Sequence, residues 1–291
     1  MPRARRLHRR PPAAPADDRG VDVVLPVCAR DVKFLPTSLG SIEMQVGVCP
    51  VVHVVCDGFH PPDIVAQLAR DLAVPCRVYR HRDNVGPYVS AMRVWGRLET
   101  NYYAVQDADD FSLPGRLAEA AHELRLHGGG CGIWGGVQQN GYVPAAVPAG
   151  AGNRRASSNA AHSYASSGSA WPAVAPLGIT LHPTLVCHRA AFERLGGYAA
   201  WRSGADCDFA TRARLDAGVT VIDSSALCSV RRLREDSLSH GPECEGAGDR
   251  AYERWLIAEC RDRKTRIASG EPVGGDLSAA LRDADLTERI H

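Results

Sequence analysis

Lysine is nearly missing from this chain: Lys33 and Lys264 are the only two among 291 residues, and arginine carries almost all of the positive charge. The 34 basic and 33 acidic residues leave a formal net charge of +1. That balance removes any broad electrostatic case for a nucleic-acid partner. No apolar run approaches the roughly 20 residues of a membrane helix, so no transmembrane segment is expected. The ten cysteines include no C-x-x-C pair, which argues against a zinc site. Several lie inside apolar, strand-like runs, where cysteine acts as a small hydrophobe. Reduced thiols in a cytoplasmic chain are the expectation. No G-x-G-x-x-G follows the first apolar run and no G-x-x-x-x-G-K-[ST] occurs, which disfavours a standard NAD fold and a P-loop. The opening MPRARRLHRRPPAAPADDRG has arginine pairs but no apolar stretch behind them, so no secretory signal is expected. Residues 1–20 are expected to form a disordered basic tail.

What the chain does have is a cluster of acids at the end of an apolar run. Residues 101–117 read NYYAVQDADDFSLPGRL: a short strand pattern, then Asp107, Asp109 and Asp110 within four residues. Clustered carboxylates at a strand end are costly unless something cationic shares the site. Asp107 and Asp109 are spaced so that both can reach one ion as the chain turns, and hard oxygen ligands suit Mg²⁺ or Mn²⁺. A solvated acidic turn or a helix N-cap is the competing reading.

Upstream, three further apolar runs end in polar residues. VDVVLPV (21–27) leads to Arg30, VVHVVC (51–56) to Asp57, and the short strand 76–79 to the HRDNVGP turn carrying Asn84 and Gly86. Helical spacing marks the segments between: 34–45, 62–72 and 88–98. This β-α-β-α-β alternation predicts a parallel sheet with helices on both faces, in which ligands bind past the carboxyl ends of the strands. The second half is expected to hold a helix over 117–126, a Gly-rich strand over 131–137 and a strand over 181–187. Helices over 188–195 and 209–217 and a strand over 219–222 follow, then the arginines Arg231, Arg232 and Arg234. The Ala/Ser/Gly/Pro-rich stretch 143–176 reads as a lid or as simple disorder. A last helix is expected over 250–268, and an amphipathic stretch over 277–286.

In order along the chain, these motifs resemble the family 2 glycosyltransferases. They are Leu25-Pro26-Val27, Asp57-Gly58, Asn84-Val85-Gly86, Asp107-Ala108-Asp109-Asp110 with Pro114-Gly115-Arg116-Leu117, His182-Pro183-Thr184 through Gly196-Gly197-Tyr198, and Ala205-Asp206. The resemblance implies a GT-A fold: an α/β architecture with a mixed central sheet, a Rossmann-like nucleotide-binding half (21–117) and an acceptor half (118–240). A C-terminal helical extension over 241–291 follows. It implies a metal-dependent, inverting transfer of a sugar from a UDP- or GDP-type donor to an acceptor hydroxyl on a soluble natural-product core or a glycan.

Residue by residue, the resemblance places Asp107 and Asp109 at Mn²⁺ or Mg²⁺. It places Pro26, Val27, Arg30, Asp57, Asn84, Gly86 and Ala108 around the donor, and Arg234 on its phosphates, with Arg231 and Arg232 as alternatives. Asp206 is implied as the base, with Asp208 as its rival. Two departures stand out. Ala205 replaces the first acid of a Glu-Asp pair, and no histidine falls at 231–235, which leaves His240, His182 or water for the metal. A degenerate nucleotide-sugar-binding protein and a GT-A-like nucleotidyltransferase are the alternatives. A homodimer through the C-terminal segment stays open.

Overall fold

The structure is a computed structural model that describes residues 19–141, 182–232, 258–259, 261–271, 273–282 and 287–289. The stretch 143–176, Arg234, His240 and nearly all of the basic tail lie outside the described residues. β1 (Gly20–Val27) is buried along all of its last seven residues. Such a strand needs neighbours on both edges and helices on both faces. It has them: β1 pairs in parallel with β2 (Cys49–Asp57) on one side and with β4 (Tyr102–Val105) on the other. β3 (Cys76–His81) extends the parallel set beyond β2. The chain therefore reverses direction across the sheet between β3 and β4, which makes the β1–β4 junction a topological switch point.

Strand neighbours beyond β4 come from the second half. β5 (Phe111–Ser112), β6 (Gly132–Gly141), β7 (Val186–His188), β8 (Thr220–Arg232) and β9 (Thr287–Arg289) complete a nine-stranded sheet in the order β5-β8-β6-β7-β4-β1-β2-β3-β9. β7 runs antiparallel to β4 and to β6, while β6 and β8 are parallel to each other. The start of β7 and the ends of β6 and β8 thus reach the same rim as the end of β4. β9 adds an antiparallel edge to β3, so the C-terminal extension contributes a strand as well as helices.

Alternating side chains build two cores. On one face, Val24, Val55, Tyr103 and Val105 pack under α3 (Pro87–Arg93), α5 (Arg189–Arg194) and α6 (Ala205–Leu215). On the other, Val23, Leu25, Val54 and Ala104 pack under α1 (Leu35–Glu43), α2 (Asp63–Asp71) and α4 (Arg116–His127). Two more helices, α7 (261–268) and α8 (Leu277–Arg282), return the C-terminal segment to the α6 side.

Several sequence boundaries move. The segment 181–187 is not one strand: His182–Thr184 is a 3-10 turn and only Val186–His188 pairs, since Pro183 offers no N–H to a ladder. The helix expected over 88–98 stops at Arg93, with a 3-10 turn at Trp95–Arg97 around Gly96. The helix expected from 209 begins at Ala205, because left-handed Gly204 starts it four residues earlier. Residues 220–232 form one continuous strand rather than a strand and a loop.

Burial of Asp22 inside β1 requires full compensation. His53 Nε2 lies 2.7 Å from its Oδ1, and the N–H groups of Glu99 and Thr100 donate to Oδ2 at 2.8 and 2.7 Å. Burial opposes ionisation of Asp22, but His53 and these N–H groups outweigh it and hold the carboxyl below its ordinary range. Asp22→Ala leaves His53 buried without its partner and should cost about 3–5 kcal/mol. A depressed folded-state pKa contributes fully above the ordinary value of 3.8 and loses its contribution as pH falls from there through the folded value. Urea melts should therefore show the wild-type and variant stabilities converging below about pH 4.

Candidate active site

The register between β1 and β4 ends at Val24, and β1 runs on to Val27 without that neighbour. Gln106 N–H donates to Val24 O, which fixes the side of β1 on which Pro26 would have pointed its N–H. Proline fits there because no ladder bond is lost. The strands splay beyond this point and leave a cavity of about 370 Å³. Pro26, Val27, Cys28 and Arg30 from the end of β1, Asp57 from β2, and Asn84, Gly86 and Pro87 line it, with Arg202 from the other half of the chain. Six donor residues implied by the resemblance thus meet in one hollow.

Asp57 shapes this hollow. Its carboxylate accepts the N–H groups of Val85 and Gly86 at 2.8 and 2.9 Å, which sets the Asn84–Gly86 turn against the end of β2. Gly58 has φ +74, and a Cβ there would lie 2.3 Å from the Asn84 nitrogen, so no side chain fits. The Cys28 thiol donates to Asp31 at 3.0 Å. Burial first, then the hydrogen bond to Asp31 and its charge, push that thiol up to about 11. It is protonated at neutral pH and offers the cavity no nucleophile.

The acidic turn follows the end of β4. Asp107 and Asp109 are half-buried at the rim, and Asp110 is buried. Arg116, itself 2% exposed, sits beneath them. Its guanidinium donates to Gln106 Oε1 at 2.9 Å, to Ser112 Oγ at 2.8 Å and to the carbonyls of Val105 and Leu185. Ala108, the small residue between the two rim acids, points its side chain into the core. Asp110 turns away from the rim and accepts from Gln138 on β6 at 2.8 Å and from the Arg232 N–H on β8 at 3.0 Å. Burial, then the charges of Asp107 and Asp109, push its carboxyl well above the usual range. Asp110 is therefore a bracket between strands. Arg232 is held by Asp109 O and by the face of Phe34, whereas Arg231 adds its charge to Asp107 and Asp110.

Sequence reading left the partner of the rim acids open, and the structure brings His182 there. Antiparallel pairing of Ala104 with Val186 returns the chain to the end of β4. His182 Nδ1 then lies 3.1 Å from Asp107 Oδ1, although the two are 75 residues apart in sequence. Burial opposes ionisation of Asp107, but His182, with Arg231 and Arg116 behind, holds its carboxyl below the usual range. His182 Nε2 is buried with no hydrogen-bond partner among the described residues. Tyr88 and Tyr198 frame the ring edge-on at 4.7 and 5.4 Å. Asp206, in the first turn of α6, completes the group: it accepts Tyr88 OH at 2.9 Å and the His182 N–H at 3.3 Å. Tyr88, which bonds Asp206, follows Pro87 of the cavity wall, so the chain itself links the hollow to Asp206.

The donor set fits a hard cation in one way only. Among the described residues no three side chains gather in a ligating arrangement. Two rim carboxylates suit Mg²⁺ or Mn²⁺, which keep water and substrate phosphate oxygens as their other ligands. They do not suit a closed structural site.

Two site features were invisible in the sequence. Arg202 reaches the cavity from the loop before α6 and donates to Asn84 Oδ1 at 2.9 Å. No periodicity or motif marks it. The burial of Ala205, which departs from the Glu-Asp pattern, is the second: it lies fully buried in the core cluster that holds Phe192, Tyr198 and Phe209.

Asp208 and Asp206 separate cleanly. Asp208 is 4% exposed and holds Arg212 at 2.8 Å and Arg263 at 2.6 Å, so it is a structural anion. Asp208→Ala, which strands two arginines, should cost about 3–5 kcal/mol. Asp206→Asn keeps an acceptor for Tyr88 and should leave stability within about 1 kcal/mol of wild type. Paired denaturant melts of the two variants check this ordering.

No family model matches the chain, and no curated protein does. Solved structures do. TarS of S. aureus, residues 1–349 in complex with UDP-GlcNAc, has a TM-score of 0.54 and 16% identity over 75% of this chain and 59% of that one. The same TarS fragment in complex with UDP gives 0.54 and 15% over 92% and 67%. Mannosyltransferase PcManGT from Pyrobaculum calidifontis, in complex with GDP-Man and Mn²⁺, gives 0.54 and 15% over 91% and 68%. The chain thus spans less than two thirds of the TarS fragment bound to UDP-GlcNAc. At these identities the likeness is one of architecture: the mixed α/β sheet with its switch-point cavity is a GT-A-type fold.

Proposed function

We propose that the chain is a metal-dependent, inverting glycosyltransferase of the family 2 kind, moving a sugar from a nucleoside-diphosphate sugar to an acceptor hydroxyl. The observation that carries the reading is the continuity of three parts. A cavity at the ends of β1 and β2 is walled by Pro87, the neighbour of Tyr88; Tyr88 bonds Asp206, and His182 joins Asp206 to the rim acid Asp107. The structural neighbours support it, because their bound molecules are UDP-GlcNAc, UDP and GDP-Man, the last with Mn²⁺.

In this reading Pro26, Val27, Arg30, Asp57, Asn84 and Gly86 receive the nucleoside. Asp107 and Asp109 hold Mn²⁺ or Mg²⁺, and Ala108 contributes only backbone. An ion held by these two carboxylates would supply positive charge to the departing diphosphate. Arg231 adds to that charge, and Arg234 is assigned to the same phosphates. The acceptor oxygen forms its bond to the anomeric carbon as the bond to the diphosphate breaks, and the diphosphate leaves with the electron pair. The acceptor proton passes to the Asp206 carboxylate. His182 holds Asp107 and, through its backbone N–H, Asp206, so acid and base keep their spacing. The acceptor is a soluble natural-product core or a glycan.

A thermal-shift panel tests this. UDP, GDP, CDP and dTDP are added with and without Mn²⁺ to wild type and to the Asp107→Ala, Asp109→Ala double variant. A nucleotide at a hundredfold excess over its Kd adds about 2.7 kcal/mol of stability. Stabilisation by one nucleotide that depends on Mn²⁺ and disappears in the double variant is the expected result. No stabilisation of wild type by any of the four contradicts the reading.

A further inference from the structure

Outside the rim, the C-terminal segment packs closely against the turn at 195–198. Residues 274–277 run across the turn at 195–198 and bond to it through backbone alone. Gly275 N–H donates to Leu195 O at 3.0 Å, Asp276 N–H to Tyr198 O at 2.7 Å, and Leu277 N–H to Gly196 O at 2.9 Å. The approach is so close that a Cβ on Gly275 would fall 2.1 Å from Gly197 O. Only glycine allows it. Leu277 and Ala280 then enter the core beside Met92 and Phe192. This strap is built into the fold.

The strap grips the stretch that leads into the site. Asp276 Oδ2 accepts the Ala200 N–H at 2.8 Å. From α7, Arg263 lies over the Trp201 ring at 5.5 Å, bonds Asp208 and donates to Gly274 O at 2.7 Å. Residues 200 and 201 are thus pinned from the C-terminal side, and Arg202 follows directly. Its guanidinium crosses to Asn84, and its Cα lies 3.6 Å from where a Gly86 Cβ would stand. Arg202 is exposed, unlike the structural arginines Arg116 and Arg212, and it is the one lining residue of the cavity contributed from beyond the first four strands.

We infer that Arg202 is a phosphate-binding residue of the donor cavity, and that Asp276 of the C-terminal strap is the residue that positions it. This rests on the donor-site reading above. A guanidinium is a forked, permanently charged donor matched to phosphate oxygens. It is held here by a neutral amide oxygen, so its charge remains available to a ligand. The strap links the C-terminal extension to donor binding, a role that no residue of the extension would have by contact.

The test is titration calorimetry with UDP and GDP, and with uridine and guanosine as phosphate-free probes, all with Mn²⁺. Arg202→Ala should weaken the bound diphosphate about tenfold or more, as for loss of one charge-assisted hydrogen bond, and leave the nucleoside unchanged. Asp276→Ala should weaken the same diphosphate about fivefold, as for one neutral bond's worth of positioning, while Asp276→Asn, which keeps an oxygen for the Ala200 N–H, should restore it. A simple loss of stability would weaken nucleoside and diphosphate alike and would not be rescued selectively. If wild type binds a diphosphate and Arg202→Ala binds it equally well, or loses nucleoside in step with diphosphate, the inference is overturned and the donor site stands. If wild type binds none of these probes and none of UDP, GDP, CDP and dTDP stabilises it, the donor-site reading itself has failed.

Discussion

Three carboxylates crowd the end of β4, and a buried arginine lies beneath them. Arg116 is 2% exposed, and burial lowers its pKa, yet the charges of Asp107 and Asp110 above it favour the cation. Its bonds to Val105 O and Leu185 O tie the end of β4 to the approach to β7, so the residue that balances the charge also sets the spacing of the rim. The cost of burying a guanidinium is offset only with nearly all of its donors occupied. Replacement by lysine would keep the charge and lose the fork. The acidic turn and its arginine are therefore one unit.

Much of that unit was legible in the sequence. The continuous apolar runs at 21–27 and 51–56 gave the central parallel strands. The polar residues after each run fell on one rim, as an alternating β-α pattern requires. What stayed illegible depends on pairing over long distances. The place of His182 beside Asp107 could not be read, because it is set by the antiparallel docking of β7 on β4, which no local periodicity records. The same holds for Asp206 and Asp208. Both lie in the first turn of α6, and only the arrival of Arg263 from the C-terminal segment shows which is a structural anion. Helix starts shifted where one left-handed glycine, Gly204, overrode side-chain spacing.

One departure from the motif pattern acquires a structural setting: Ala205 is fully buried in the core cluster that holds Phe192, Tyr198 and Phe209. The C-terminal segment, expected from the sequence as a helical extension, is joined to the rest by a strand on the β3 edge and by the strap over residues 195–198. Among the described residues no helix is long and apolar enough to cross a membrane.

The central claim is that the switch-point cavity and the rim acids form one donor site. A crystal grown with Mn²⁺ and the nucleoside diphosphate that stabilises the protein tests it most directly, with anomalous scattering locating the ion. The account predicts the nucleoside in the hollow lined by Pro26, Asp57 and Asn84, and the manganese peak against the carboxylates of Asp107 and Asp109. A nucleotide bound elsewhere, or an ion that ignores both carboxylates, would contradict it.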